Sequence, residues 1–590
     1  MTGYLRGVMR WVRILGAFGA GGVALAILWS ERFAYGDFLP LRGYQPLHAH
    51  VIAPQEGLFL GLFVVLGAIA VLGLGIGAFL TSTRGGQERL IGRLDRVLQR
   101  VPDRAWMIAL ALFAVVAALV VGGVVLDGAF MTDDEMAMNF QAELLLEGRL
   151  WADPTPYPEV FSYAMMIEAP RWYGIYPIGH PAVMALSLLL TGSARYLVAL
   201  CAAGWVVLTF LLARRLFDRT TAVLASALMC LSPFFVLSSG TLAAEITSGL
   251  FLLAAANAAV RIEGRRPLLM SVALGLSLGA AYLSRPYTTL AFAVPLAVWV
   301  ARPWFRKRTS LWVPFVVLAC AAPFAVGYLW VNAGLTDSPW LTPYEVNFPG
   351  RFKIGFGQDA FGIVHTPQLA AAVAGLTLFE LNAWVLGWPL SLIPVACALF
   401  LERISAPTLL AASLPLCMML AFVPVPMAGV QDTGPLYYLE VLPLLVILAA
   451  RGLLLAGRRV SGWWGGRGRE LLAWQVVAAA VVGGLTFGWQ QVDVLRSLAA
   501  FNNAPYEVAE RVVDGRALIF VDNIQTTPPS SWVLGLRPPR HDLSDRLVFG
   551  HVVGRSRADE VLRWTDGRRG YYLSRDRVTG DVSLIPLAAP

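Results

Sequence analysis

The stretch TDDEMAMNFQAELLLEGRL, residues 132–150, follows shortly after an apolar run over roughly 105–126 that is long enough to span a bilayer. Three consecutive acids, Asp133, Asp134 and Glu135, therefore sit at or just outside the end of a membrane helix. A helical pattern comes next, with Met138, Ala142, Leu145 and Leu146 on one face and Glu143 and Glu147 on the other. Ionised carboxylates beside hydrocarbon are costly to maintain. The cluster reads either as a reactive site or as a solvated helix cap supplied by Asp133 or Asp134.

Outward from this stretch the chain stays apolar. Its 590 residues are 57% hydrophobic and 14% charged, which fits a polytopic membrane protein and no soluble class. The formal net charge of +8 rests on Arg, apart from Lys307 and Lys353. These cations gather in short loops between apolar runs, as the positive-inside rule expects, which argues against a nucleic-acid partner. Cys201, Cys230, Cys320, Cys397 and Cys417 all fall inside apolar runs without metal-ligand spacing and read as small buried hydrophobes.

The Arg-rich segment 84–104 reads as cytoplasmic, so the acidic stretch after the next span faces the outer side. Two spans precede that segment, near 13–29 and 58–80. Further spans are expected near 195–215, 221–238, 242–260, 267–283, 287–301, 311–331, 383–401, 407–424, 436–456 and 471–489. The total is about thirteen, with the amino terminus inside and the carboxyl terminus outside. Pro181 to Thr191 is apolar but too short to cross and belongs in the interface. Residues 332–368 form a second outer loop. Three regions follow: a two-span extension with its basic loop (1–104), a transmembrane core (105–490) and a small α/β outer domain (491–590). In the last, ALIFVDN, RGYYLSRD and VSLIPL read as strands and RADEVLRW as a helix.

A site at the outer boundary could use a carboxylate as general base, if partial burial raises its pKa toward the working pH. Displacing a lipid phosphate from a sugar would further need cations, for which Arg171, Arg285, Arg351 and Lys353 are available, and apolar walls. The order of motifs is informative here. Asp134-Glu135, Ala142, Leu145-Leu146 and Gly148 are followed by YPIGHP (Tyr176 to Pro181), Gly192 and Arg195. LSPFF with Glu245 in the next helix start comes after, then LSRP ending at Pro286, then GPLYYLEVLPLLVILAARG over 434–452. From about 105 to 455 this order and spacing resembles GT-C membrane glycosyltransferases, in particular the protein O-mannosyltransferase and lipid A aminoarabinose transferase branch.

The resemblance implies an all-α polytopic membrane protein of GT-C type with a small periplasmic α/β domain. It implies inverting transfer from a polyprenyl-phosphate sugar to a lipid, glycan or protein acceptor, at the periplasmic face of a bacterial inner membrane. Asp134 takes the place of the base or metal-side acid, with Glu135 orienting it and Glu245 as a second acid. Asp133, Glu168, Arg171, Tyr176, His180, Arg285, Arg351, Lys353 and Tyr437 are the expected substrate-binding residues. Arg285 would hold the donor phosphate or anchor a helix end by snorkelling; His180 would orient its loop. Mg²⁺ or Mn²⁺ held by Asp133, Asp134 and Glu135 is a further expectation. Two departures stand out: Leu436 where relatives carry Arg, and Ala137 and Met138 where they carry a Tyr pair. The competing readings are a transporter or flippase, which would want acids at mid-membrane, and a glycan ligase or polymerase, which would rely on outer-loop Arg and His.

Overall fold

In the computed structural model the chain is described over residues 73, 89–305, 312–350, 354–360, 362, 364–426, 429–522, 536–565, 567–575 and 581–587. The two spans expected before residue 84, apart from residue 73, lie outside the described residues, as do Arg351 and Lys353. Helix α1 (Arg89–Arg100) is amphipathic, and its first amides, of Leu90 and Ile91, donate to the Glu470 carboxylate at 2.9 and 3.2 Å. Helix α2 (Asp103–Val120) follows and ends in a π turn, Val121–Val125. The acidic stretch forms α3 (Asp133–Leu146). Then come α4 (Gly179–Thr191), α5 (Arg195–Leu216), α6 (Arg219–Leu231), α7 (Pro233–Ser239), α8 (Ala244–Ala259), α9 (Pro267–Ser284), α10 (Pro286–Phe305) and α11 (Trp312–Thr336).

Among the described residues six helices are long and apolar enough to cross a membrane, or seven if α6 and α7, bent by 60°, count as one span. Ser232 and Pro233 cause that bend. Proline has no N–H for the ladder, and Ser232 Oγ accepts from the Phe235 amide at 3.4 Å to start a new helix. The 13-residue α4 is indeed too short to span.

The span expected at 383–401 is not a continuous helix. Instead α12 (Pro367–Trp384) and α13 (Ile393–Phe400) flank a turn in which Gly387 and Leu390 are left-handed, with φ of 74° and 66°. Pro389 removes another donor there, and Asn382 Oδ1 accepts from the Leu392 amide at 3.1 Å. Beyond α14 (Ala406–Phe422), a 3₁₀ segment, Leu436–Val441, leads into α15 (Leu442–Trp464). Helix α16 (Gly466–Gly483) passes through a π turn into α17 (Trp489–Val512). The helical run thus extends well past the expected boundary at 490, because its polar second half packs against the first outer loop and the tail.

The tail carries a four-stranded sheet in the order β4-β3-β1-β2, where β1 is Ala517–Val521, β2 Leu547–His551, β3 Arg569–Arg575 and β4 Val582–Pro586. Strand β1 pairs parallel with β2 and β3, and β4 closes the edge antiparallel to β3. Helix α18 (Arg555–Trp564) makes the crossover from β2 to β3. The sequence reading found three of these strands and the helix; β2 (LVFGH) it missed.

Two apolar cores meet on α3. Met138 and Ala142 belong to the core of the membrane helices. Ala137, Phe140 and Leu144 belong to a second core built with Val160, Phe161 and Trp172 of the first outer loop and with β1, β2 and α18 of the tail. The one-sided amphipathic pattern expected for α3 is therefore wrong. The helix is enclosed on two sides, while Leu146, expected inside, is 43% exposed. Backbone bonds reinforce the second core: His551 N donates to Val160 O at 2.8 Å, and the Tyr163 hydroxyl donates to Phe549 O at 2.6 Å.

Candidate functional site

Thr132, rather than either aspartate, caps α3; its Oγ1 accepts from the Glu135 amide at 3.2 Å. This frees Asp134 from a capping role. The Asp134 side chain keeps some accessible surface, but protein crowds its carboxyl. Burial raises its pKa, opposed by a hydrogen bond from the Tyr176 phenol and by the charge of Arg285. Burial, then the Asp134 charge, push the Tyr176 phenol well up, so the phenol stays protonated and donates. Gln141 Nε2 donates to Tyr176 O at 2.8 Å and fixes that segment on α3.

Glu135 serves as a clamp. It is 2% exposed, with Oε2 accepting from Met131 N at 2.9 Å and Oε1 from Leu242 N at 3.0 Å. Arg195, whose charge acts on Glu135, donates to the carbonyls of Gly240, Gly128 and Ala129 at 3.0, 2.9 and 2.9 Å. The loops on either side are drawn together so tightly that a Cβ on Gly122 would fall 2.9 Å from Gly240 O. His180 is fully buried; Nδ1 bonds Thr247 Oγ1 and Nε2 bonds Leu242 O, both at 2.8 Å. It ties α4 to the start of α8, in keeping with an orienting role.

That start of α8 carries Glu245, 4% exposed, and its carboxylate pairs with Arg285, the residue that ends α9. Arg285 Nε also lies 3.1 Å from Glu440 Oε1, and its guanidinium stands 5.8 Å from the Tyr437 ring centroid. Glu440 is fully buried, and its carboxylate faces the Arg285 guanidinium and the Ser248 hydroxyl. Asp134, Tyr176, Glu245, Arg285 and Tyr437 are thus brought into one cluster. The sequence reading missed Glu440, although an acid inside the apolar run 436–456 was the signal. It also missed Tyr344 of the second outer loop, whose phenol acts electrostatically on Tyr176 and Tyr437.

Other expected residues lie elsewhere. Arg171 pairs with Asp337 at 2.9 Å and stands over Trp151 at 5.1 Å, joining the two long loops away from the Asp134 cluster. Glu168 Oε1 accepts from Tyr163 N at 2.9 Å within the first loop, on the tail side. Asp133 acts on the Tyr506 phenol of α17, whereas Asp134 is acted on by the Tyr176 phenol and Arg285. The three acids do not converge as a metal shell. Successive helical residues point about 100° apart, and both Glu135 oxygens are already taken. Among the described residues no group of three or more His, Cys, Asp or Glu could hold a metal. An apolar cavity of about 230 Å³, lined by Leu381, Val395, Met419, Val441 and Leu445 among others, borders the segment that carries Glu440.

With the geometry in view, comparisons with known proteins are informative. Residues 176–327 match the family described as dolichyl-phosphate-mannose-protein mannosyltransferase. The crystal structure of ArnT from Cupriavidus metallidurans bound to undecaprenyl phosphate is similar over 80% of this chain and 94% of that one, with 15% identity and a TM-score of 0.51. An Archaeoglobus fulgidus oligosaccharyltransferase structure overlaps 70% of this chain and 60% of its own, at 13% identity and a TM-score of 0.43. No curated protein matches the sequence significantly. The chain carries the GT-C fold and resembles the ArnT and mannosyltransferase branch.

Proposed function

We propose that this protein is an inverting glycosyltransferase that moves a sugar from a polyprenyl-phosphate donor to an acceptor hydroxyl at the outer membrane–water boundary. The observation that carries the reading is Asp134, a crowded carboxyl bonded by a phenol and set in the field of Arg285. In the proposed step the acceptor proton passes to the Asp134 carboxylate as the acceptor oxygen attacks the anomeric carbon. The bond from that carbon to the phosphate oxygen breaks on the opposite face, which inverts the centre. Arg285 steadies the leaving phosphate, taking it beside the Glu440 carboxylate that also holds the guanidinium. Glu245 keeps the guanidinium in place, and the apolar cavity beside Glu440 offers a wall to the lipid chain.

Glu245, Arg285 and Glu440 all sit at helix ends, not mid-helix, which favours a boundary site over a transport path. Among the described residues Asp133, Asp134 and Glu135 do not converge on one point, so the proposed proton transfer is assigned to Asp134 itself. Purified protein given a polyprenyl-phosphate sugar should release free polyprenyl phosphate in step with glycosylated acceptor; a protein that only carries the lipid across a bilayer would release none.

The same reading has about thirteen spans, a cytoplasmic amino terminus and a periplasmic tail in a bacterial inner membrane. Its regions are 1–104, 105–490 and 491–590, with α17 bridging the last boundary. Reporter fusions after Arg266 and Arg459 should then read as cytoplasmic, and those after Trp151 and Gly357 as outer. A cytoplasmic signal after Trp151 would put Asp134 on the wrong side for this chemistry.

A further inference from the structure

Helix α1 takes no part in the Asp134 cluster. It stands at the start of α2, and the 23 apolar residues of α2 and its π turn separate it from the stretch that leads to α3. It therefore lies at the opposite bilayer face, cytoplasmic in the topology proposed above. Both of its ends are held by charge of the sign that suits the helix dipole. The Glu470 carboxylate accepts from the Leu90 and Ile91 amides, and the Arg219 guanidinium donates to the carbonyls of Leu98 and Val101. Along its flank, Asp95 pairs with Arg469 of α16 at 3.7 Å and Leu98 packs on the core of the membrane helices. Clamped in this way, α1 presents the rest of its surface in one direction.

At about 100° per residue that surface divides in two. Leu90, Leu94 and Val97 fall within an arc of about 60°, next to the docked side formed by Leu98 and Asp95. Leu94 and Val97 are 47% and 45% exposed. Arg93, Arg96 and Arg100 occupy another arc of about 60° directly beyond Val97, and all three are exposed. Arg96 Nε turns back to Gly92 O at 3.1 Å, while Asp95 is engaged with Arg469. Among the described residues none of the three arginines pairs with a carboxylate.

The depth of α1 follows from its neighbours. Trp463 and Trp464 are exposed and end α15 a few residues before Glu470. Exposed indoles collect at the membrane–water boundary, so the residue that caps α1 sits near that level. Just after α1, Ile108 and Leu112 of α2 are exposed, as side chains facing lipid are. A nucleic acid would leave Leu94 and Val97 bare, and a zwitterionic headgroup would bring no net charge to three unneutralised cations. An anionic lipid meets both halves, its acyl chain on the apolar edge and its phosphodiester on the guanidiniums.

We propose that α1 is a binding site for anionic phospholipid, separate from the donor site, with Leu94 and Val97 against the acyl chain and Arg93, Arg96 and Arg100 on the phosphodiester. Through Glu470 and Arg219 the bound lipid braces α16 and α6 against α2, so occupancy raises the stability of the folded state.

The test follows thermal unfolding of full-length protein in nonionic detergent as phosphatidylglycerol or phosphatidylcholine is added. Wild type should show a saturable rise in Tm at lower concentrations of phosphatidylglycerol than of phosphatidylcholine, and added salt should narrow that difference. Replacing Arg93, Arg96 and Arg100 by Gln should weaken the apparent affinity for phosphatidylglycerol about fivefold for each guanidinium removed. Replacing the same three by Lys should keep most of it, which separates lost charge from a damaged helix. Leu94→Ser with Val97→Ser should weaken both lipids alike. Arg511→Gln, on the outer half of α17, should respond like wild type. If the triple Gln variant does not fold, the three single variants carry the same comparison. Equal response to the two lipids in wild type, or an undiminished preference in the Gln variants, would overturn the proposal; the second result would place the anionic lipid elsewhere, for instance at Arg285. A short single-stranded oligonucleotide that stabilised wild type as strongly as phosphatidylglycerol would overturn it as well, in favour of a nucleic-acid partner. No turnover is measured, so these results and the transferase reading stand or fall separately.

Discussion

Asp134→Asn is expected to lower sugar transfer by ~10²-fold or more while donor binding survives, the usual scale for losing a general base. Asparagine keeps the shape and can still accept from Tyr176, but it cannot take a proton. Stability should move the other way. Burial holds the folded-state pKa of Asp134 above its ordinary value, so the fold favours the protonated form. Below the unfolded value both states hold the proton and nothing is lost. As pH rises through the folded value, the ionised carboxylate becomes a penalty that persists at neutral pH. Asp134→Asn lacks this penalty, so its Tm should match or exceed wild type at pH 7, with the gap closing on acidification. The acid limb of wild-type activity should follow the same raised ionisation. Wild-type turnover in the Asn protein would remove Asp134 as base, whereas loss of both activity and Tm would mark it as structural. Glu135→Gln provides the contrast: it weakens acceptance from Met131 and Leu242, and should cost stability first.

Arg285→Met is expected to destabilise the protein by about 3–5 kcal/mol, because it strands two carboxylates in a site with little solvent. Glu245 and Glu440 are 4% and 0% exposed, so water can do little to replace the lost cation. Adding Glu245→Gln and Glu440→Gln should return most of that stability, since neutral amides no longer need a counter-charge. Activity should stay absent in the triple variant if Arg285 also steadies the leaving phosphate. Recovery of both Tm and turnover would mean that Arg285 only neutralises its neighbours. Thermal unfolding in detergent, alongside release of polyprenyl phosphate, separates the two outcomes.

Several members of this cluster stand out in the sequence. Asp134, Tyr176, Glu245, Arg285 and Tyr437 lie far apart in the chain, yet each closes or opens an apolar run, and helix ends on one side of a membrane must share a layer. What was lost was lost for local reasons. Glu440 was read as part of an apolar motif, although its charge made it the exception. Glu135 looked chemical by residue type, but the backbone amides it binds leave no mark in a linear pattern. Asp133 and Asp134 were indistinguishable by type; the turn of the helix gives them different neighbours. The 383–401 span failed because hydropathy outweighed Gly387 and Pro389, which break a helix whatever their apolar surroundings. The burial of α3 on two sides depended on a tail hundreds of residues away.

That shared core has a consequence for biosynthesis. Phe140 and Trp172 pack with Leu518, Phe549 and Val561 in one apolar cluster. A ribosome delivers the first of these long before the last, and a contact of such sequence separation forms late. Until β1 and β2 arrive, α3 has its membrane-side packing but not its other wall, and the nascent outer loop shows bare Phe140, Phe161 and Trp172 to the surroundings. The proposed base is therefore seated only when synthesis is nearly over. An incomplete chain should insert its early helices, remain inert, and present an aromatic surface to chaperones and proteases.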